Sequence, residues 1–251
     1  MNIDKRSDEQ CYLRKKLSFA LNNFPGNNLQ LLNHLQLFQR SSVIARILHL
    51  QEVYEKVLKK PGIILQIGVH YGSSMAVFLS LRAIYEPYNY SRHVIGIDSF
   101  DPHHSRVRED RHPNIFTPDK YGQFFEGSEY TEFLSEVLNI HESENIMSNI
   151  KKWEILKGEL TEQLRYLIQS KDLNIGLLYF DSPISNSDLK TVLSLLIPVF
   201  QRGTLIVPYS INRFIPTGEL DIIREVFSLS KYKLEIEKSQ FISEKNYIEL
   251  S

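Results

Sequence analysis

Along the first sixty residues, apolar side chains return every three or four positions. Leu31, Leu32, Leu35 and Phe38 form one such stripe. Val43, Ile44, Ile47, Leu48, Val53 and Val57 form a second, and this spacing predicts amphipathic helices. Pro25-Gly26-Asn27-Asn28 separates an earlier helix from these, and Pro61-Gly62 stops the last of them. Residues 1–60 therefore read as a helical arm, either a cover for the rest of the chain or a contact with a second copy.

From Gly62 onward the period changes. Short apolar runs, Ile63–Ile67, His93–Ile97, Trp153–Leu156, Ile175–Phe180 and Thr204–Val207, have the length and composition of buried strands. Helical stretches lie between them, from Ser73 to Tyr85, Leu189 to Phe200 and Leu220 to Ser228. Two late strands, Lys231–Glu237 and Tyr247–Leu250, suggest an antiparallel hairpin at one edge. Apolar strands alternating with helices predict a mostly parallel sheet covered on both faces, the doubly wound α/β class. Residues 61–251 then form one domain behind the arm.

Composition narrows the classes. The chain has 251 residues, 29 basic against 30 acidic, and a formal net charge of −1. That balance offers no electrostatic case for nucleic acid or an anionic membrane surface. Its single cysteine, Cys11, cannot form an internal disulfide or a thiolate metal cage. The charged opening MNIDKRSDEQCYLRKK lacks the apolar core of a signal peptide, and stretches such as Gly203 to Pro208 are too short to span a bilayer. The expected setting is the cytoplasm, and the expected partner is a small molecule.

In open α/β sheets ligands bind beyond the carboxyl ends of the strands, where strand order reverses. The first strand runs into Gly68-Val69-His70-Tyr71-Gly72-Ser73-Ser74. Two glycines four apart permit a tight turn against a ligand, and a helix N-terminus with unpaired N–H groups follows. The loop lacks the GxGxxG pattern of dinucleotide sites, which argues against NAD or FAD. The second strand ends at Asp98, placed as the acid that holds ribose hydroxyls in nucleoside-binding α/β proteins. The third leads into Lys157-Gly158-Glu159, whose carboxylate is a candidate for an adenine amino group, and the fourth into Asp181-Ser182.

At these residues the sequence resembles the macrocin O-methyltransferase-like (TylF-like) family. ILQIGVHYGSSM, VIGIDSFD, ILKGEL, LLYFDS, the strand after Arg202-Gly203 and the later Pro216-Thr217-Gly218-Glu219 follow in that family's order, and Arg46 to Gly62 looks like its lead-in helix. The resemblance covers roughly residues 43–250. It implies a class I, Rossmann-like methyltransferase fold with a seven-stranded sheet, S-adenosylmethionine as cofactor, and methyl transfer to a hydroxyl, commonly on a sugar of a natural product. By that likeness Gly68, Gly72 and Ser73 line the methionine part of the cofactor, with Gln66 near its amino group. Asp98, Ser99 and Phe100 meet the ribose and adenine, and Glu159 the adenine edge.

The departures concern charge. Gln66 stands where the family usually has an acid, and Glu159 where it usually has Asp. Metal-dependent members hold magnesium with Asp-x-Asp after the fourth strand and a pair of acids after the fifth. Here those places read Asp181-Ser182-Pro183 and Val207-Pro208-Tyr209-Ser210. Magnesium favours near-octahedral oxygen ligands, normally including carboxylates, so no metal is expected. Asp181 remains the best candidate for a general base and for a cofactor contact, with a plain strand-end carboxylate as the bland alternative. His70 is a catalytic candidate that could touch cofactor or substrate, with a satisfied surface histidine as its alternative, and Tyr209, Ser210 and Asn212 are candidate substrate contacts. The polar stretch from Asp101 to Phe125 suits a lid over the cofactor mouth. Its His103, His104 and His112 fit no compact zinc pattern. Beside an O-methyltransferase, the missing acids leave open a methyltransferase-like pseudoenzyme, or a non-methylating use of the same pocket.

Overall fold

A computed structural model describes residues 8–100, 127–170, 173–209, 218–228, 230–242 and 246–251. The expected lid at 101–125 with His103, His104 and His112, and the candidates Ser210 and Asn212, lie outside the described residues.

The arm holds helices α1 (Asp8–Asn22), α2 (Asn28–Asn33) and α3 (Ser41–Val57), with a 3-10 turn at Leu35–Phe38. Asn27 begins α2 with a capping box: its side chain accepts from Gln30 N–H, and the Gln30 side chain accepts from Asn27 N–H. Then follow β1 (Ile63–Ile67), α4 (Ser73–Tyr85), β2 (Val94–Asp98), α5 (Gly127–Ser143), β3 (Trp153–Lys157), α6 (Leu160–Ser170) and β4 (Ile175–Phe180). The chain closes with α7 (Asn186–Leu196), β5 (Phe200–Val207), α8 (Glu219–Phe227), β6 (Leu234–Lys238) and β7 (Asn246–Leu250). The expected first and fourth strands match β1 and β4, and the helix from Ser73 to Tyr85 matches α4.

The region of Leu189 to Phe200 corrects the expectation of one helix. α7 stops at Leu196, and a short 3-10 turn carries Pro198, which lacks an N–H and disfavours helix in the residue before it. Phe200 already belongs to β5, so Arg202-Gly203 lies within the strand, at an irregularity in its pairing with β4. The strand expected from Lys231 begins only at Leu234.

The seven described strands form one sheet in the order β3-β2-β1-β4-β5-β7-β6. β1 pairs in parallel with β2 and β4, β2 with β3, and β4 with β5. β7 is antiparallel to both β5 and β6, so the late hairpin folds back with its second strand inside the sheet. Strand order reverses between β1 and β4.

Alternate residues of each strand feed two cores. Leu65, Ile67, Ile95, Ile97, Leu178 and Phe180 pack toward α6, α7 and α8. Ile64, Val94, Leu177, Tyr179 and Val207 pack toward α3, α4 and α5. α3 thus covers one face of the sheet, burying Leu50, Val53, Tyr54 and Val57 completely or nearly so. At about 25 cal/mol per Å² of apolar surface, each such side chain stabilises the fold by roughly 1.5–3 kcal/mol.

Candidate active site

The switch point sets the site. Ladder bonds carry the chain past β1 and β4 in step, with Gly68 N–H donating to Ile97 O and Asp181 N–H to Ile67 O, each at 2.9 Å. The loop after β1 then turns through three residues with positive φ, Gly68, His70 and Gly72. At Gly68 a Cβ would lie 1.9 Å from Ser182 Oγ, so only glycine lets the two loops meet. At Gly72, which precedes the first turn of α4, a Cβ would strike Leu134 of α5.

Asp98 fastens this loop. Its Oδ2 accepts from Val69 N–H at 2.7 Å and His70 N–H at 3.0 Å, and its Oδ1 from Phe100 N–H at 3.0 Å. Three amide donors hold the carboxylate at the loop base and stabilise its charge. His70 closes the other side, its Nε2 lying 2.7 Å from Ser182 Oγ and 3.1 Å from the Asp181 carbonyl oxygen. The hydroxyl can donate or accept whereas the carbonyl only accepts, so the ring's tautomer decides which of the two bonds Nε2 makes.

Asp181 is almost buried, its side chain 7% exposed. Both its oxygens lie 2.7 Å from Nη2 of Arg46, which reaches in from α3 and also donates to Ser74 Oγ at 2.8 Å. Gln66 Nε2 donates to Gly68 O at 2.9 Å and, at 3.3 Å, to Asp181 Oδ2. Gln66 Oε1 is buried without a hydrogen-bond partner. Beneath them Tyr179 bonds to Ser74, and burial, with the nearby Asp181 charge, pushes its phenol far above the usual range. Tyr179 is therefore a neutral post under the cluster.

The remaining candidates lie around this centre. Ser73 is exposed at the start of α4, Ser99 and Phe100 are half-buried after β2, and Tyr209 is half-buried after β5. Phe100, Tyr71 and Phe133 surround Tyr130, whose ring lies 5.9–6.5 Å from each of theirs. Burial and the neighbouring Tyr71 push the Tyr130 hydroxyl up to about 12. Glu159 is exposed and accepts from Glu162 N–H at 2.8 Å, capping α6. Its slight burial works against the charge, but the Thr161 and Glu162 amides outweigh it and hold the carboxyl below its usual range. A groove of about 720 Å³ runs along α5 beside Ile155 and Lys157, at the β3 edge and away from the switch point.

Two cofactor questions follow from this geometry. The orphaned Gln66 acceptor, the close-approach glycines and the fastened Asp98 fit a ligand bearing an ammonium and a ribose. A divalent metal at Asp181 does not fit, because the Arg46 guanidinium already sits against both carboxylate oxygens. Among the described residues no group of three His, Cys, Asp or Glu side chains could hold a metal ion.

Arg46, Ser74 and Ser182 were not among the residues expected to act. A signal for Arg46 exists: it falls on the apolar stripe of its helix, three residues after Val43 and four before Leu50.

Residues 40–146 match the family model described as rhamnosyl O-methyltransferase/CmcI. Two solved structures of CalS11 are similar over nearly their whole length. One, described as the apo TDP-rhamnose 3'-O-methyltransferase of calicheamicin biosynthesis, is 26% identical, covers 97% of this chain and 95% of its own, and has a TM-score of 0.76. The other is 28% identical, covers 97% and 93%, and has a TM-score of 0.78. The O-methyltransferase NovP, 14% identical over 82% of this chain and 79% of its own with a TM-score of 0.53, shares the fold. Among curated proteins none matches the chain in sequence. By its fold and these likenesses the chain is a class I, S-adenosylmethionine-dependent O-methyltransferase.

Proposed function

We propose that the acceptor is a sugar hydroxyl on a small natural product or its nucleotide-linked precursor, and that transfer needs no divalent metal. The observation that carries this reading is the near full-length likeness to CalS11, whose described substrate is TDP-rhamnose. The match to the rhamnosyl model and the macrocin-like order of motifs both support a sugar acceptor, and the macrocin-type assignment stays within this proposal.

When bound, S-adenosylmethionine would supply an electrophilic methyl group to the acceptor oxygen, with the C–S electrons left on sulfur and the hydroxyl proton passing to Asp181. The chain's part is positioning and charge placement. Gly68, Gly72 and Ser73 line the methionine end, where Gln66 Oε1 gains an ammonium donor. Asp98, with Ser99 and Phe100, receives the ribose and adenine. Glu159, which caps α6, is the proposed contact with the adenine edge.

Asp181 accepts the hydrogen bond of the reacting hydroxyl through Oδ1, which among the described residues bonds Arg46 alone, whereas Oδ2 also takes Gln66. His70, whose Nε2 lies against Ser182 Oγ and the Asp181 carbonyl, helps to fix the base. Tyr209, half-buried after β5, is the proposed contact on the acceptor side, and Ser210 and Asn212 remain candidates from the sequence alone. A second copy of the chain is the proposed partner of the arm, where Phe19, Leu29, Leu32 and Leu37 are exposed. No helix among the described residues is long and apolar enough to cross a membrane. The lone cysteine supports the cytoplasm as the proposed location.

Titration calorimetry with S-adenosylmethionine, then mass spectrometry of a panel of nucleotide-linked sugars with and without EDTA, tests the reading. Binding, and a product heavier by one methyl group whose yield ignores EDTA, are expected. Activity abolished by EDTA and restored by magnesium would overturn the metal-free mechanism.

A further inference from the structure

We infer that Arg46 is a catalytic residue that selects vicinal diols: its exposed N–H groups hold the hydroxyl next to the one that Asp181 engages. The inference rests on the sugar-hydroxyl reading above and adds a substrate class to it.

Among the described residues Arg46 uses a single nitrogen. Its hydrogen bonds there, to Ser74 and to both oxygens of Asp181, come from Nη2. Nε and Nη1 donate to none of the described residues, and the side chain is 43% exposed, although its tip is fixed against a carboxylate that is 7% exposed. A guanidinium has five N–H donors in a rigid fork, so donors remain available in a fixed direction beside a buried acceptor. The cluster therefore offers one cationic donor face and one carboxylate oxygen side by side.

A lone alcohol uses half of that offer. Two hydroxyls on neighbouring carbons use both, one donating to Asp181 Oδ1 and the other accepting from Arg46. Charge supports the same pairing. With Gln66 neutral, Arg46 and Asp181 cancel, so a neutral acceptor enters without stranding a charge in a partly desolvated site. The guanidinium also lies where negative charge grows as the hydroxyl loses its proton, and a fixed cation there is worth most where water is scarce. Gln66 also holds Asp181, through Oδ2, which helps to keep the carboxylate from turning with the acceptor. A lysine at position 46 would keep the charge but lose the fork, because its ammonium is a single point with freely turning donors.

The test uses the full chain with S-adenosylmethionine and TDP-rhamnose, compared with TDP-sugars lacking the hydroxyl on either side of the methylated carbon. Wild type is expected to favour the diol by kcat/KM. Arg46→Gln is expected to lose about 100-fold on the diol and much less on the deoxy acceptor, and Arg46→Lys about 10-fold on the diol. Calorimetric affinity for S-adenosylmethionine should be unchanged in both variants. Arg46→Lys keeps a cation beside Asp181, so it reads the effect even where the glutamine variant folds poorly.

Equal losses on diol and deoxy acceptor, or wild-type indifference between them, would overturn the inference alone. Loss of S-adenosylmethionine binding in Arg46→Lys would also overturn it, because Arg46 would then be holding the cofactor loop. Failure of the wild type to methylate any sugar tested would overturn the sugar reading, and this inference with it.

Discussion

An alanine at position 68 would force its Cβ to within 1.9 Å of Ser182 Oγ and 2.5 Å of Ser182 Cβ, at a φ of +82° that L residues rarely adopt. Strain and overpacking together should cost about 2–4 kcal/mol, read from urea unfolding. A Gly68→Ala, Ser182→Gly double variant should recover part of that loss, because the side-chain clash disappears while the φ strain remains. Full additivity of the two substitutions would mean that the loops do not meet as described. At this scale the sequence was legible where chemistry followed the strand ends. Gly68, Asp98 and Asp181 stand out as the residues leaving three apolar runs. Arg46 did not, because its partner lies 135 residues away and no local pattern links them. The capping role of Glu159 was equally hidden, since strand-end position alone favours the cofactor reading.

Between elements, a polar hinge joins the end of α3 to α4 and the entry of β2. Arg92 donates to the carbonyls of Val57, Lys60 and Gly62 and to both oxygens of Glu86, and Glu86 in turn accepts from Tyr54. Burial opposes the Glu86 charge, but the bonds from Arg92 and Tyr54 outweigh it, so its folded-state pKa falls below the ordinary 4.5. A lowered carboxylate contributes stability that is present above its unfolded value and lost as pH falls through the folded one. Thermal melting of the wild type should therefore drop more steeply than that of Glu86→Gln as the pH is taken from 6 to 3. Parallel curves would remove Glu86 from the account. Element type was read correctly wherever apolar periodicity was strong, as in β1, α4 and β4. The break at Pro198 shows why boundaries were harder: a leucine-rich run continues past the point where the backbone can stay helical.

Across the whole molecule, α3 is clasped by the last hairpin. Glu52 accepts from Ser239 Oγ at 2.7 Å and Gln240 N–H at 3.1 Å, and His49 Nδ1 lies 2.9 Å from Ser239 Oγ. Lys56 pairs with Glu237 and Lys60 with Glu249. Outside this clasp, α1, α2 and the 3-10 turn leave Phe19, Leu29, Leu32 and Leu37 in solvent. Light scattering should give a dimer mass for the wild type and a monomer mass for a Leu29→Glu, Leu32→Glu variant. A monomeric wild type would remove the second copy from the proposal. The α/β class and its edge hairpin were legible from alternation alone. That α3 is part of the site was not, because a covering helix and a catalytic one share the same apolar spacing.

The placement of β7 between β5 and β6 has a consequence for how the enzyme comes into being. During synthesis Arg46 leaves the ribosome first, Asp181 follows 135 residues later, and the clasp on α3 comes later still with Glu237, Ser239 and Gln240, just ahead of β7. β6 has no partner among the described strands except β7, so it waits as an open edge until that segment arrives. A nascent chain thus carries its cofactor loop and its carboxylate before the helix bearing the guanidinium can be locked in place. Locking of the Arg46–Asp181 pair therefore waits on β6 and β7, the strands whose hairpin holds α3.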